Sequence, residues 1–176
     1  MIEKGTLKTV VGDVTTPQRA KASDIVVIPH CCNNRKIMGA GVALFLKTKW
    51  PEVDEIYQNS SDELGSVSYY IHTIEDEEKT VDLVVANMIG QDSCRSISNP
   101  KPVKYVALMQ AMEKVFTFCD AMKINEKMNN RNRNVAIHAC KFGSDLAGGN
   151  WGFILELINE IWIDKGLDVV VYEFGE

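Results

Sequence analysis

Apolar residues fall along the chain in short runs of two kinds, and the order of those runs predicts the elements. Residues 7–11, 25–30, 67–74, 81–89, 135–139 and 169–174 are brief stretches rich in Val and Ile and bounded by turn residues. That is the pattern of strands buried in a sheet. Between several of them the apolar positions recur at helical spacing. Val42, Leu44, Phe45, Leu46 and Trp50 predict a helix over 41–50, stopped near Pro51, with a short helix resuming over 53–57. Val106, Met109, Met112, Val115, Phe116 and Cys119 mark one face of a helix over 103–122 or beyond. Ile154, Leu157, Ile158, Ile161 and Trp162 do the same for a helix over 151–165.

The polar stretches supply the connections. GDVTTPQRAKASD, residues 12–24, reads as a loop with room for one helical turn. The acidic segment EDEEK joins strands 67–74 and 81–89 as an antiparallel hairpin with a solvated tip. GQDSCRSISNPKPVK, residues 90–104, is a long polar loop with two prolines, a kind that carries function in compact domains. NEKMNNRNRN, from Asn125, reads as a polar connector whose arginines face solvent. Six strands with helices returning between them predict a three-layer α/β/α sandwich around a mixed, mostly parallel six-stranded sheet. At 176 residues the chain fits one domain spanning 1–176.

Two loops leave strands and open helices with unusual glycine content, Gly39 to Gly41 and Gly143 to Gly149. Both belong at carboxyl ends of strands, where open α/β sheets place their ligand crevice. Backbone N–H groups at such strand-to-helix turns suit an anion. Two facing loops can wrap a diphosphate from both sides, so the residues alone point to a nucleotide diphosphate or a dinucleotide-like molecule. Neither loop reads GxGxxG, and there is no GxxxxGK(S/T) P-loop.

Composition narrows the partners. A formal net charge of -5 argues against a general nucleic-acid binder, whose footprint is a basic face. No apolar run approaches the roughly 20 residues that cross a bilayer, and MIEKGTLKTV has no signal-peptide core, so a cytoplasmic protein without membrane contact is expected. The five cysteines show neither CxxC nor Cys/His ligand spacing, which argues against a disulfide scaffold or a zinc site. Cys31 has the position of a nucleophile, but with Cys140 it reads better as a small packer at a strand end. No metal and no cofactor are expected.

Four ordered segments carry a resemblance to a known family: GDVTTP after the first strand; IPHCCNNRKIMGAGVALFL; ANMIGQD with the Pro-containing loop and KYVALMQAMEKV; and FGSDLAGGNWGFILELINEIW before VVVYEF. Over essentially its whole length the chain resembles a macro domain. It looks most like the branch holding ADP-ribose 1''-phosphate phosphatases and terminal ADP-ribose glycohydrolases.

The resemblance implies a site for ADP-ribose or a derivative. Asp13 matches the acidic residue that accepts from the adenine amine, and Val14 contributes its backbone; the residues alone read Asp13 as a turn or capping residue. Asn33 matches the Asn on the distal ribose. Gly39, Ala40, Gly41 and Val42 match the first phosphate loop, and Gly143, Ser144, Asp145, Leu146, Ala147 and Gly148 the second. Tyr172 or Phe174 is placed to pack against the adenine. His30 stands where these phosphatases carry a His, which implies hydrolysis of ADP-ribose 1''-phosphate with His30 as general acid or base and Asp145 orienting water. Two departures weigh against glycohydrolase chemistry: Gly90 and Gln91 stand where a catalytic Lys belongs, and Ala147 where a catalytic Asp belongs. A non-catalytic ADP-ribose reader, and removal of ADP-ribose from modified protein or nucleic acid, are the alternatives.

Overall fold

The computed structural model describes residues 3–17, 24–75 and 79–173. The element order is β1 (Leu7–Val11), β2 (Asp24–Asn33), α1 (Gly41–Lys49), α2 (Pro51–Asn59), β3 (Val67–Glu75), β4 (Thr80–Gln91), α3 (Tyr105–Met128), β5 (Asn134–Cys140), α4 (Trp151–Ile158) and β6 (Asp168–Glu173). The strands form one six-stranded sheet in the order β1-β6-β5-β2-β4-β3. Every pairing is parallel except β3 with β4, the expected hairpin. This is the mixed α/β sheet that the pattern predicts.

β2 carries ten residues and is paired on both sides, by β4 and β5. Its apolar character on both faces reflects two buried sheet faces. Ile25 and Val27 enter a core built with α3 and α4, including Met112, Val115, Ile158 and Trp162. Val26, Ile28 and Cys32 enter a second core with Leu46, Trp50, Val53 and Tyr57 of the α1–α2 side. The site therefore rests on a strand fixed from two sides.

Several boundaries differ from expectation. β2 continues through Cys31, Cys32 and Asn33, which pair with Met88, Ile89 and Gln91 of β4, so Cys31 lies on a strand and not in a polar loop. α1 buries less than its spacing suggests: Leu46 and Trp50 are buried, whereas Leu44 and Phe45 are exposed. On α3 the buried stripe runs through Ala107, Leu108, Ala111, Met112, Val115 and Cys119, leaving Val106 exposed. α4 continues as a π-helical turn over Asn159–Ile163.

The largest difference is at the end of α3. That helix runs on to Met128 through the segment read as a connector, because Glu126 is buried and met by Arg133. Arg133 donates to both Glu126 carboxylate oxygens, at 2.9 and 3.1 Å, and to Asp82 of β4 at 2.6 Å. Arg131 is exposed as expected; Arg133 is not, since its fork clamps the helix end to the sheet.

Candidate functional site

A cleft of about 490 Å³ opens at the carboxyl ends of the central strands. Its floor is the end of β2, Cys31 to Asn33, together with Gln91 of β4. One wall is Ile37 to Ala43 and the other is Cys140 to Ala147. Both glycine-rich loops thus face the same space.

The first wall is built by its own side chains. Asn33 donates from Nδ2 to the carbonyl of Ile37 at 2.8 Å and accepts on Oδ1 from the N–H groups of Arg35 and Ile37, at 3.0 and 3.2 Å. Its carbonyl accepts from the Tyr57 hydroxyl. Lys36, at φ +61°, sends its ammonium to the carbonyls of Tyr57, Ser60 and Ser61 and to the Ser60 hydroxyl, at 2.6 to 3.0 Å. Those carbonyls are the C-terminal end of α2, where a cation is favoured. Gly41, at φ +57°, then turns the chain into α1. Ala40 gives that helix no side-chain cap and the first turn has no acidic residue, so its leading N–H groups have no side-chain partner among the described residues where they border the cleft.

The second wall is a tight loop. Gly149 N–H donates to the Gly143 carbonyl at 3.0 Å, Ala147 N–H to Ser144 at 2.8 Å, and Gly148 N–H to Asp145 at 3.0 Å. Asp145 adopts φ +43° and is exposed at the cleft. The Ser144 hydroxyl is buried with no hydrogen-bond partner among the described residues. A buried orphan hydroxyl lacks the partner that water supplied in the unfolded chain, and a ligand oxygen would restore it.

Of the residues singled out in the sequence, Asn33, Gly39, Ala40, Gly41, Val42, Gly143, Ser144, Asp145, Leu146 and Ala147 line the cleft. Gly148 closes the second loop from behind, against Pro100 and Lys101. Asp13 lies at the end of β1; its carboxylate accepts from Thr15 N–H at 2.8 Å and Thr15 Oγ1 at 2.9 Å, a turn-capping arrangement that leaves lone pairs on both oxygens. Val14 is buried in the core of the α1–α2 side. Phe174 lies outside the described residues.

Two of the residues singled out in the sequence lie inside the protein and off the cleft lining. His30 does not line the cleft: it is 1% exposed and shares the sheet face of Ile28 and Cys32, under α2. Its Nε2 donates to Asn87 Oδ1 at 2.6 Å, and Asn87 in turn donates to Ser68 Oγ at 3.2 Å. It lies one residue before the stretch of β2 that lines the cleft, held inside by its bond to Asn87. Tyr172 is likewise interior, 2% exposed, with its hydroxyl against His138 Nδ1 at 2.8 Å, and it is not on the cleft lining.

Burial lowers His30 to about 4, the hydrogen bond to Asn87 opposing, and lowers His138 to about 4 by burial alone. The unfolded chain, with histidines near 6.5, binds more protons between those values, so stability falls as pH drops from about 6.5 to 4. Each histidine is expected to remove about 2 kcal/mol at pH 5. Urea unfolding at pH 7 and pH 5 checks this, and His30→Gln should remove its share of the difference.

Cys31 packs against the α3–α4 core while also bordering the cleft, and burial pushes its thiol up to about 12, which disfavours the thiolate. At position 90 a Cβ would lie 2.8 Å from Cys31 Sγ, so the space beyond the glycine is already filled. Arg95, Lys141 and Met38 also line the cleft and were not singled out in the sequence. The loop holding Arg95 is legible as functional, but no spacing distinguishes this arginine within it.

No family model and no curated relative matches the chain. Solved structures do. A protein of unknown function from Bacteroides thetaiotaomicron is 29% identical, with 96% of this chain and 98% of that one covered and a TM-score of 0.76. A macrodomain protein from Streptomyces coelicolor is 26% identical over 97% of this chain and 100% of the other, with a TM-score of 0.68. This chain has a macro-domain fold. The macro-domain likeness extends to DarTG of Thermosipho africanus in complex with ADP-ribose, at 15% identity and a TM-score of 0.58, covering 83% of this chain and 37% of that one. No helix among the described residues is long and apolar enough to cross a membrane.

Proposed function

We propose that the cleft binds ADP-ribose and that the protein releases phosphate from ADP-ribose 1''-phosphate. The observation that carries the reading is the pair of glycine-rich walls, one offering the leading N–H groups of α1 and the other an orphaned Ser144 hydroxyl, across a space of about 490 Å³. Backbone amides and a hydroxyl suit a diphosphate that must be held without a cluster of cations. The sheet order supports one direction for the ligand. Asp13 follows the edge strand β1, while the residues after β4 lie at the other end, with the second and first loops between them. Adenine belongs beside Asp13, the diphosphate between the loops and the terminal ribose near Gln91 and Asp145.

With His30 out of reach, Asp145 is the carboxylate left on the cleft lining, and it orients the attacking water in this reading. A second reading, an ADP-ribose reader without chemistry, is favoured by that same placement of His30. The remaining alternative, release of ADP-ribose from modified protein or nucleic acid, gains nothing from Gly90 and Ala147.

Calorimetry with ADP-ribose, followed by phosphate release from ADP-ribose 1''-phosphate, separates these readings. Saturable binding with turnover is expected, and Asp145→Ala should cut turnover roughly 100-fold. Binding without turnover leaves the reader. No heat of binding removes both.

A further inference from the structure

Arg95 stands apart from the rest of the cleft. It is an arginine on the lining with no carboxylate partner among the described residues, and its contact is a hydrogen bond from Nη1 to the backbone carbonyl of Asp145 at 2.9 Å. An unneutralised guanidinium keeps most of its five donors for something else.

The loop that carries it is held rigidly. Asn99 Nδ2 donates to the carbonyls of Asp92 and Cys94, at 2.9 and 3.2 Å, so the backbone on the N-terminal side of Arg95 is clamped. Ser96 N–H donates to the Asn99 carbonyl at 3.1 Å, and Asn99 N–H returns to Ser96, which closes the other side. Ser93, at φ +65°, gives its N–H to Asn34 Oδ1 at 2.8 Å, and Asn34 Nδ2 donates to Asp92 Oδ1 at 3.1 Å. The loop is thereby tied to the first wall as well. The clamped backbone and the bond to the Asp145 carbonyl restrain both ends of this exposed side chain, which lowers the entropy lost when it grips a ligand.

Position gives the chemistry. The sheet order puts the loop after β4 on the far side of β5 and β2 from β1, the strand that Asp13 follows. A group there would meet the exposed Asp145 carboxylate, and a second anion would be repelled unless a cation stood beside it. Arg95 is that cation, and it is fastened to the same residue.

We infer that Arg95 is a specificity-determining residue that grips a phosphate carried on the terminal ribose of ADP-ribose, through a forked, charge-assisted contact. It also steadies the left-handed Asp145 by binding its carbonyl. The inference rests on the ADP-ribose reading above and names the residue that tells the phosphate-bearing derivative from ADP-ribose itself.

The test measures the affinities of ADP-ribose and ADP-ribose 1''-phosphate by calorimetry at low salt, for the unaltered protein and for Arg95→Gln and Arg95→Lys. The phosphate-bearing ligand is expected to bind about tenfold tighter or more, as a charge-assisted contact provides. Arg95→Gln should bring the ratio of the two affinities near unity, and Arg95→Lys should restore part of it as charge without the fork. The ratio is the readout, because loss of the Asp145 contact weakens both ligands together. A ratio already near unity in the unaltered protein, or one unmoved by Arg95→Gln, overturns the inference while leaving ADP-ribose binding intact. Failure of ADP-ribose itself to bind overturns the underlying reading and this one with it.

Discussion

Gly149→Ala is expected to abolish measurable ADP-ribose binding, lowering affinity by about 100-fold or more, a loss near 2.7 kcal/mol. An added Cβ would sit 2.1 Å from the Gly143 carbonyl oxygen and 3.2 Å from Val103 Cγ1. The first neighbour is backbone and cannot rotate away. The loop must open, breaking the bond from Gly149 N–H to Gly143 and moving Ser144 and Asp145 off the cleft. A fall in melting temperature should accompany it, since backbone strain of this kind costs about 1–3 kcal/mol. Calorimetry and a thermal scan on the same preparation check both parts. Retained affinity would mean that the second loop does not hold the ligand.

Arg133→Met is expected to destabilise the fold by about 3 kcal/mol, at the lower end for a broken buried pair because Arg131 stays 3.4 Å from Glu126. It leaves Glu126, 2% exposed, without the guanidinium that holds its carboxylate below the ordinary value of 4.5. The sign of the pH response follows. The pair's contribution is present above the unfolded carboxylate value and disappears as pH falls below it, because the folded Glu126 resists protonation. Denaturant curves at pH 7 and pH 3.5 should therefore converge for Arg133→Met and the unaltered protein. The double variant Glu126→Leu with Arg133→Met should recover most of the loss, since a buried pair replaced by apolar side chains is often neutral. If the single variant alone is harmless, the clamp on α3 is not holding the helix end.

Much of the architecture could be read from the sequence because it follows apolar spacing. β1 has its expected bounds, and the face of Ile154, Leu157, Ile158, Ile161 and Trp162 is buried as predicted. The misreadings arise where a polar letter is buried by a partner far along the chain. Glu126 looks like surface until Arg133 and Asp82 are seen beside it. Cys31 to Asn33 look like loop until β4 is seen to pair with them. Both glycine-rich loops stood out because two of them follow strands and open helices in one chain, whereas Arg95 did not, because an arginine in a polar loop is ordinary. His30 lies one residue before the stretch of β2 that lines the cleft, and its letter alone gives no sign of that depth.

The fastening of Lys36 to the end of α2 has a kinetic consequence. Four acceptors already hold its ammonium, and Asn33 ties residues 35 and 37, so the first wall has its binding shape before any ligand arrives. Association should then be a single encounter step whose observed rate rises linearly with ligand concentration, with no plateau marking a slow rearrangement. Selectivity among ligands would be expressed in how long each stays.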